Sequence, residues 1–207
     1  MLAQEFYGKK LGDTVKSMFE FVIHGRGGQG AKTASEILAH AALRQGKYIQ
    51  AFSEYGPERT GAPVKSFVRI DDNPITLHSG IEQPAVIAVL DSSLLDTIDF
   101  GSDMTKVCVL VVNTPKPPQE IRTAYGIKKG HVYTVDCTSI SVEILGQNRP
   151  NTPMLGAIVK ASNDYFSKNA LIEDLENKLL HKIGREMMDK NIACLKRAYD
   201  EVKGGAG

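Results

Sequence analysis

The amino-acid sequence predicts an α/β protein with an open, mostly parallel sheet, a small antiparallel excursion and a helical C-terminal part. Short apolar runs typical of buried strands alternate with segments of helical periodicity. A glycine-rich turn joins the first of these strands to the first helix, which is the arrangement of a Rossmann-like sheet. From about residue 153 the pattern is helical almost to the end of the chain.

Length and composition are those of an ordinary globular protein. The 207 residues suffice for one sizeable core, so we expect an N-terminal arm over residues 1–17 and a single α/β domain over residues 18–203. The 25 Lys and Arg residues balance 24 Asp and Glu residues, which gives no electrostatic case for nucleic acid or an anionic membrane as a partner. The N-terminus has no apolar signal-like region, and we expect a cytoplasmic protein.

The first elements surround the turn. Residues 18–23 form an apolar run that predicts a buried strand, and the helix that follows places Ala34, Ile37, Leu38 and Ala41 on one face. Gly46 then provides a left-handed end for this helix.

Later elements are assigned from similar patterns. We predict strands at residues 47–52, 64–70, 85–90, 107–112 and 132–135. The alternating pattern of 64–70 is typical of a strand at a sheet edge or in an antiparallel pair, and 75–77 is a candidate hairpin partner for it. We predict short helices after Asp91 and over 119–125, a segment at 137–142 that leads into a helix, and C-terminal helices with breaks near 167–169 and Gly184. Residues 204–207 are predicted to be a flexible end.

The glycine turn is the first candidate site. Gly25, Gly27, Gly28 and Gly30 leave the backbone open, and the helix start behind them offers unpaired N–H donors and a partial positive charge to a phosphate or carboxylate. Arg26 adds a possible bidentate contact and Gln29 an amide contact to a ligand or a partner. The alternative is that the glycines only allow the helix to pack closely on the sheet.

A second candidate is the loop between the second and third strands. We expect Glu54, Tyr55, Gly56, Pro57, Glu58 and Gly61 to serve recognition of a subunit or a ligand, because Pro and Gly fix a backbone that side chains can rely on. Arg59 and Thr60, in the same loop, are expected to complete the anion site. The alternative is a structural loop held by its own ion pair.

Other chemistry has less support in the sequence. Glu54 lies where a dinucleotide enzyme holds a ribose, but a strand follows it instead of a helix, so a self-contained dinucleotide enzyme is disfavoured. His24, beside the turn, is the one histidine of the five that we consider for a functional role. Cys108, Cys137 and Cys194 form no C-x-x-C pair, so we expect no metal site in this chain. We predict no catalytic residue within it.

Two motifs together carry a family resemblance. GRGGQGAKTASEILAHAAL and SEYGPERTGAPVKSFVRI resemble the γ subunit of 2-oxoacid:ferredoxin oxidoreductases, over residues 19–200. PERTGAPV followed by F-x-R-I is more similar to the pyruvate and branched-chain 2-oxoacid members than to the 2-oxoglutarate members.

This resemblance implies a subunit of a larger enzyme, with the chemistry in partner chains. Such complexes oxidatively decarboxylate a 2-oxoacid with thiamine diphosphate in the α and β subunits. Electrons pass through [4Fe–4S] clusters, mainly in the δ subunit, to ferredoxin, and the acyl group passes to coenzyme A. The resemblance makes coenzyme A the expected ligand of the γ chain, and a homodimer is possible when the chain is isolated. Two rivals stay open, an independent NAD(P)- or FAD-dependent oxidoreductase and a purely structural scaffold.

Overall fold

The computed structural model describes residues 18–56, 61–99, 104–163 and 165–205. In these residues one sheet has seven strands in the order β2-β3-β1-β4-β5-β6-β7. The strands are β1 Phe19–Arg26, β2 Tyr48–Tyr55, β3 Pro63–Asp71, β4 Val86–Val89, β5 Val109–Asn113, β6 His131–Val135 and β7 Lys203–Gly205. The arm predicted for residues 1–17 lies outside the described residues, and the division into an arm and one domain stays a prediction.

The helices follow the predicted order. They are α1 Ala31–Arg44, α2 Pro118–Ala124, α3 Cys137–Leu145, α4 Asn151–Ala161 and α5 Lys168–Glu201, with a 3-10 helix at Ser92–Thr97. Asp91 caps the 3-10 helix by accepting a hydrogen bond from the backbone N–H of Ser93 at 3.0 Å. Gly184 interrupts α5 with φ 76° and ψ 167°, so the predicted break is confirmed.

The predicted α/β fold is confirmed. The four strands β1, β4, β5 and β6 are adjacent and parallel. β3 and β2 extend them in antiparallel pairs on one side, and β7 pairs antiparallel with β6 on the other.

One prediction with two alternatives is decided, and two local predictions were wrong. β3 lies between β1 and β2 and pairs antiparallel with both, so the antiparallel pairing predicted for residues 64–70 is confirmed, and β2 is the strand at this end of the described sheet. Residues 75–77 form no strand, and Gln50 instead reaches the carbonyl of Leu77 through its side chain at 2.8 Å. Gly204 and Gly205 belong to β7 instead of a flexible end. A Cβ at Gly204 would collide with the backbone of Val132 and Tyr133 in β6, so only glycine allows this approach there, whereas a Cβ at Gly205 would meet no described atom within 4 Å.

The sheet is covered differently on its two faces. α1, α3, α4 and α5 pack on one face, where Phe21, Ile23 and Ala88 contribute to the larger core. The 3-10 helix and α2 cover the other face of β4, β5 and β6, around Ile87 and Leu110. Successive residues of a strand point to opposite faces, which explains why these central strands are apolar throughout.

Over β1, β2 and β3 the second face carries buried polar side chains beside the stacked rings of Phe52 and Phe67. Arg69 is 1% exposed and donates to Glu20 at 2.8 Å and to Gln50 at 2.8 Å. It also donates to the carbonyls of Ser79 and Gly80, at 2.7 and 2.9 Å. One buried guanidinium therefore fastens the segment after β3 onto the sheet, with its charge compensated by Glu20.

Candidate functional site

The glycine turn connects β1 to α1 at the carboxyl end of the sheet. β1 is longer than the apolar run predicts, since Gly25 and Arg26 still pair with Val64 and Pro63 of β3. The turn itself therefore consists of residues 27–30, with Gly28 at φ 92° and Gly30 at φ 83°. Both values lie in the left-handed region that favours glycine.

The glycines of this motif have different surroundings. A Cβ at Gly25 would lie 3.1 Å from Leu90 Cδ1 and 3.2 Å from Ala31 Cβ, and one at Gly30 would lie 2.8 Å from Asn151 Nδ2. A Cβ at Gly28 would meet no described atom within 4 Å. Close packing thus explains why residue 25 is a glycine, and together with the positive φ it explains the glycine at position 30. Gly28 faces open space.

The position of the turn in the fold is that of a ligand site. From β1 the chain passes to α1, β2 and β3 on one side, and β4, β5 and β6 lie on the other side of β1. The crossover helix after β1 and those after β4 and β5 pack on opposite faces. The carboxyl ends of β1 and β4 are therefore a topological switch point, where open α/β sheets bind their ligands.

Unpaired backbone donors lie at this point. Gly30 is the N-cap of α1 and provides no side-chain cap. Among the described residues, the N–H groups of Gly28, Gly30, Ala31 and Lys32 have no hydrogen-bond acceptor. Such donors, with the positive end of the helix dipole, stabilise an anion.

Arg26 and Gln29 are engaged with the protein itself. Arg26 Nε lies 3.2 Å from Asp91 Oδ2, and its two terminal nitrogens donate to Ser93 Oγ at 2.8 Å and the Gly61 carbonyl at 3.3 Å. Gln29 Nε2 donates to the same Asp91 oxygen at 3.0 Å, and Gln29 Oε1 accepts from the Arg26 N–H at 2.7 Å. These bonds use three of the five N–H donors of Arg26 and one of the two of Gln29, so donors remain for a ligand, and this role stays a prediction.

Asp91 is a site residue that the sequence reasoning missed. Burial alone would raise the pKa of this carboxyl, but hydrogen bonds from Ser93 and Gln29 and the charge of Arg26 hold the pKa below its ordinary value. The carboxylate therefore stays ionised and joins the turn to the 3-10 helix. Its position directly after a buried strand was the available signal, but the sequence could not show that β4 lies next to β1.

The recognition loop is shorter than predicted. Glu54 and Tyr55 belong to β2, where they pair with Lys65 and Val64 of β3, so the loop begins at Gly56. Its described end contacts the glycine turn, since Gly27 donates to the carbonyl of Ala62 at 2.9 Å. Pro57, Glu58, Arg59 and Thr60 lie outside the described residues, so their predicted roles stay predictions.

His24 lies on the second face of the sheet, away from α1. It lines a small cleft of about 220 Å³ together with Glu54 and Lys65, which neighbour it across β3 and β2. Burial, assisted by the charge of Lys65, lowers the pKa of His24 to about 4, so the imidazole is neutral. His24 and Glu54 therefore share a cleft on the second face of the sheet, whereas α1, which follows the glycine turn, packs on the first face.

Neither metal ligation nor membrane insertion has support in the described residues. They contain no group of three or more His, Cys, Asp or Glu residues that could hold a metal ion. All three cysteines are buried, and burial raises the pKa of the Cys137 thiol well above its ordinary value. None of the described helices is long and apolar enough to cross a membrane.

Fold and site together define a Rossmann-like α/β protein with a glycine turn at the switch point of its sheet. The family model for pyruvate ferredoxin/flavodoxin oxidoreductase matches residues 20–201. The chain belongs to this family.

Individual relatives agree along nearly their whole length. The pyruvate synthase subunit PorC of Thermotoga maritima is 42% identical over 188 residues, which is 91% of this chain and 96% of that protein. The common γ subunit of the pyruvate/ketoisovalerate oxidoreductases of Thermococcus litoralis is 42% identical over 185 residues, or 89% of this chain and 97% of that protein. The crystal structure of the pyruvate oxidoreductase subunit PORC from Thermotoga maritima superposes with a TM-score of 0.79 at 39% identity, covering 92% of this chain and 99% of that one.

Proposed function

We propose that this chain is the γ subunit of a pyruvate:ferredoxin oxidoreductase, and that it contributes a coenzyme A-binding surface to a complex whose reacting centre lies in partner subunits. The subunit assignment rests on the similarity to PorC over nearly the full length of both chains. The partners in this proposal are the α, β and δ subunits, and ferredoxin accepts the electrons. Thiamine diphosphate and [4Fe–4S] clusters belong to those partners, and the assembly is cytoplasmic.

The uncapped start of α1 is the observation that supports coenzyme A as the ligand. Coenzyme A is a thiol carrier with a pyrophosphate and a 3′-phosphate, and it accepts the acyl group when bound. Four N–H groups of the turn and the first turn of α1 have no described acceptor, and they lie where the helix dipole is positive. Lys32, in the first turn of α1, adds a largely exposed cation whose contact with Glu36 is 3.9 Å long. These residues fit a phosphate group and supply its binding and orientation.

A second substrate has a specific observation in its favour. The γ subunit of Thermococcus litoralis is named as common to pyruvate and ketoisovalerate oxidoreductases. A γ chain that binds coenzyme A and not the 2-oxoacid could serve both enzymes, so ketoisovalerate is the second candidate substrate of the assembly.

Purification of the native complex through a tag on this chain tests the subunit assignment. The expected result is copurification of the α, β and δ subunits, and pyruvate- and coenzyme A-dependent reduction of ferredoxin. A parallel assay with ketoisovalerate tests the second substrate. The isolated chain should show no oxidoreductase activity. Tight nicotinamide or flavin binding by the isolated chain would instead support the rival independent enzyme.

Substitutions in the complex test the ligand. Lys32→Ala should raise the KM for coenzyme A roughly tenfold, and Arg26→Ala should raise it too, with the decarboxylation half-reaction intact. Arg185→Ala removes a cation that contacts Glu176 and Asp189 of α5 and should leave this KM unchanged. An unchanged KM for coenzyme A in both Lys32→Ala and Arg26→Ala would contradict the binding of coenzyme A at this site.

A further inference from the structure

One long edge of the sheet carries no further strand in the described part of the chain. β2 is the last strand at this end and pairs on its inner side with β3 over its whole length. The strand at the other end is β7, which has three residues against the eight of β2. A long edge strand invites pairing with another chain, because its outer backbone groups are available to it.

The register shows which backbone groups of β2 face outwards. Gly56 donates to the carbonyl of Pro63 at 2.9 Å, so this antiparallel pair is of the hydrogen-bonded kind. Hydrogen-bonded and non-hydrogen-bonded pairs alternate along an antiparallel ladder, so every second residue of β2 directs its N–H and C=O groups away from β3. Among the described residues these groups have no hydrogen-bond partner. They belong to Ile49, Ala51, Ser53 and Tyr55.

β2 lacks the features that usually protect an edge strand from pairing. Its residues include no proline and no lysine, and they stay in register with β3 without a bulge. Tyr48 and Tyr55, at the two ends of the strand, are 48% and 63% exposed. Lys47, directly before the strand, is bound to Asp72. The edge is therefore open, and its ends are aromatic instead of charged.

Helix α1 leaves room for a further strand. Ile49, Ala51 and Tyr55 point to the same face of the sheet, since alternate residues of a strand do so. Ile49 packs against the core on this face, whereas Ala51 and Tyr55 are exposed. The helices that cover this face therefore end short of the edge.

The backbone of β2 is complementary to a second copy of itself. Two β2 strands can pair antiparallel about a twofold axis at Phe52. In this register Ile49 lies opposite Tyr55 of the second copy, and Ala51 lies opposite Ser53 of the second copy. Each of these pairs joins two residues whose backbone groups face outwards, so every outward N–H and C=O group of both strands finds a partner.

The side chains of the strand agree with the same register. Phe52 lies opposite Phe52 of the second copy in a non-hydrogen-bonded pair, where side chains are closest and aromatic pairs are favourable. Glu54 is the one charged residue of β2, and it lies opposite Gln50 of the second copy. No like charges therefore face each other across the axis.

We infer that the β2 edge binds the β2 edge of a second copy of this chain, so that two sheets join into one across a twofold axis at Phe52. A symmetric interface of this kind uses the same patch on both copies. The resemblance to γ subunits allows a homodimer of the isolated chain, and this register gives the dimer a specific interface. The inference goes beyond the proposed function, because it depends neither on the ligand nor on the partner subunits.

Disulfide cross-linking of the full chain tests the register. Phe52→Cys places two thiols opposite each other at the axis, with Cβ atoms about 4.5–5.5 Å apart. Glu54→Cys is the matched control on the same face of the same strand, because its two copies lie about 14 Å apart in this register. Cys108, Cys137 and Cys194 are buried and should give no background. Mild oxidation should convert most of the Phe52→Cys chain, and little of the Glu54→Cys chain, to a covalent dimer.

Sedimentation equilibrium of the full chain measures the dimer without a cross-link. Ala51→Pro removes an N–H group that points to the second copy and removes no bond to β3, and proline is tolerated in an edge strand on this side. It should raise the Kd of the dimer at least tenfold, because the twofold axis doubles the loss. The thermal unfolding of each variant, measured in parallel, verifies that it is folded.

Four results would overturn the inference. A chain that stays monomeric up to about 100 μM has no such interface. A dimer whose Kd is unchanged in Ala51→Pro is formed elsewhere on the surface. A dimer that cross-links through Glu54→Cys and not through Phe52→Cys has another register. A monomer that dimerises only after removal of residues 1–17 would show that this segment, and not a second copy, occupies the edge in the full chain.

Discussion

Alanine at Gly30 should destabilise the protein more than alanine at Gly28, although both belong to the same turn. The two glycines have similar backbone angles, φ 83° and φ 92°. Only Gly30 has a close neighbour, since an added Cβ would lie 2.8 Å from Asn151 Nδ2 and 3.1 Å from Asn151 Cβ. Gly28→Ala is therefore a matched control that imposes backbone strain without the contact.

The expected losses in the free energy of unfolding come from backbone strain and from the contact with Asn151. A left-handed conformation costs a residue with a Cβ about 1–2 kcal/mol, and this cost applies to both variants. The clash with Asn151 adds an overpacking cost of about 1–3 kcal/mol to Gly30→Ala alone. We expect a loss of about 1–2 kcal/mol in the free energy of unfolding for Gly28→Ala and about 2–5 kcal/mol for Gly30→Ala.

Chemical denaturation of the isolated chain measures both losses, with a third variant as a check. Asn151→Ala in the Gly30→Ala background should recover most of the difference between the two glycine variants, because it removes Asn151 Nδ2 and Cγ, which would lie 2.8 and 2.9 Å from the added Cβ, and leaves only Asn151 Cβ at 3.1 Å. Equal losses for Gly28→Ala and Gly30→Ala, or no recovery with Asn151→Ala, would refute the proposed contact between the turn and the start of α4.

Three further predictions concern the core and the second face of the sheet. The His24 pKa of about 4 lies below its unfolded value, so the unfolded state takes up a proton first as pH falls. The free energy of unfolding should therefore drop by about 2 kcal/mol between pH 7 and pH 5. His24→Gln should reduce this pH dependence, which chemical denaturation at a series of pH values measures. Gly156→Ala would place a Cβ 2.0 Å from the carbonyl oxygen of Leu195 and should cost about 3 kcal/mol or more, whereas Gly80→Ala, with open space around it, should change the unfolding free energy little. Arg69→Met should cost about 3–5 kcal/mol by leaving Glu20 without its buried cation, and adding Glu20→Gln should restore part of this loss; a larger loss in the double variant would contradict the charge argument.

The sequence predicted those elements whose pattern depends only on near neighbours. The helix after the turn and its end at Gly46 are of this kind, since Gly46 takes φ 79° and donates to the carbonyl of Leu43. The buried strands β4 and β5 are of this kind as well, because a strand covered on both faces is apolar throughout.

Predictions that depend on distant pairing were less accurate. The alternation in residues 64–70 fits an edge strand and a central antiparallel strand equally, and the choice is made by β1 and β2 on either side of it. β7 gives no apolar signal at all, because its pairing with β6 uses backbone groups of glycines. For the same reason, Asp91 could not be joined to the turn until the order of β1 and β4 was known.

The glycine motif itself shows why sequence alone left packing and ligand binding as alternatives. Both uses require a residue without a Cβ, so the letters of the motif are the same in either case. The structure shows close packing at Gly25, which lies against Leu90 and Ala31, while Gly28 faces open space. Packing at Gly25 is therefore compatible with the proposed ligand binding by the rest of the turn. The close approach at Gly25 places the start of α1 against the sheet, and its free N–H groups thereby lie at the switch point where a phosphate can reach them.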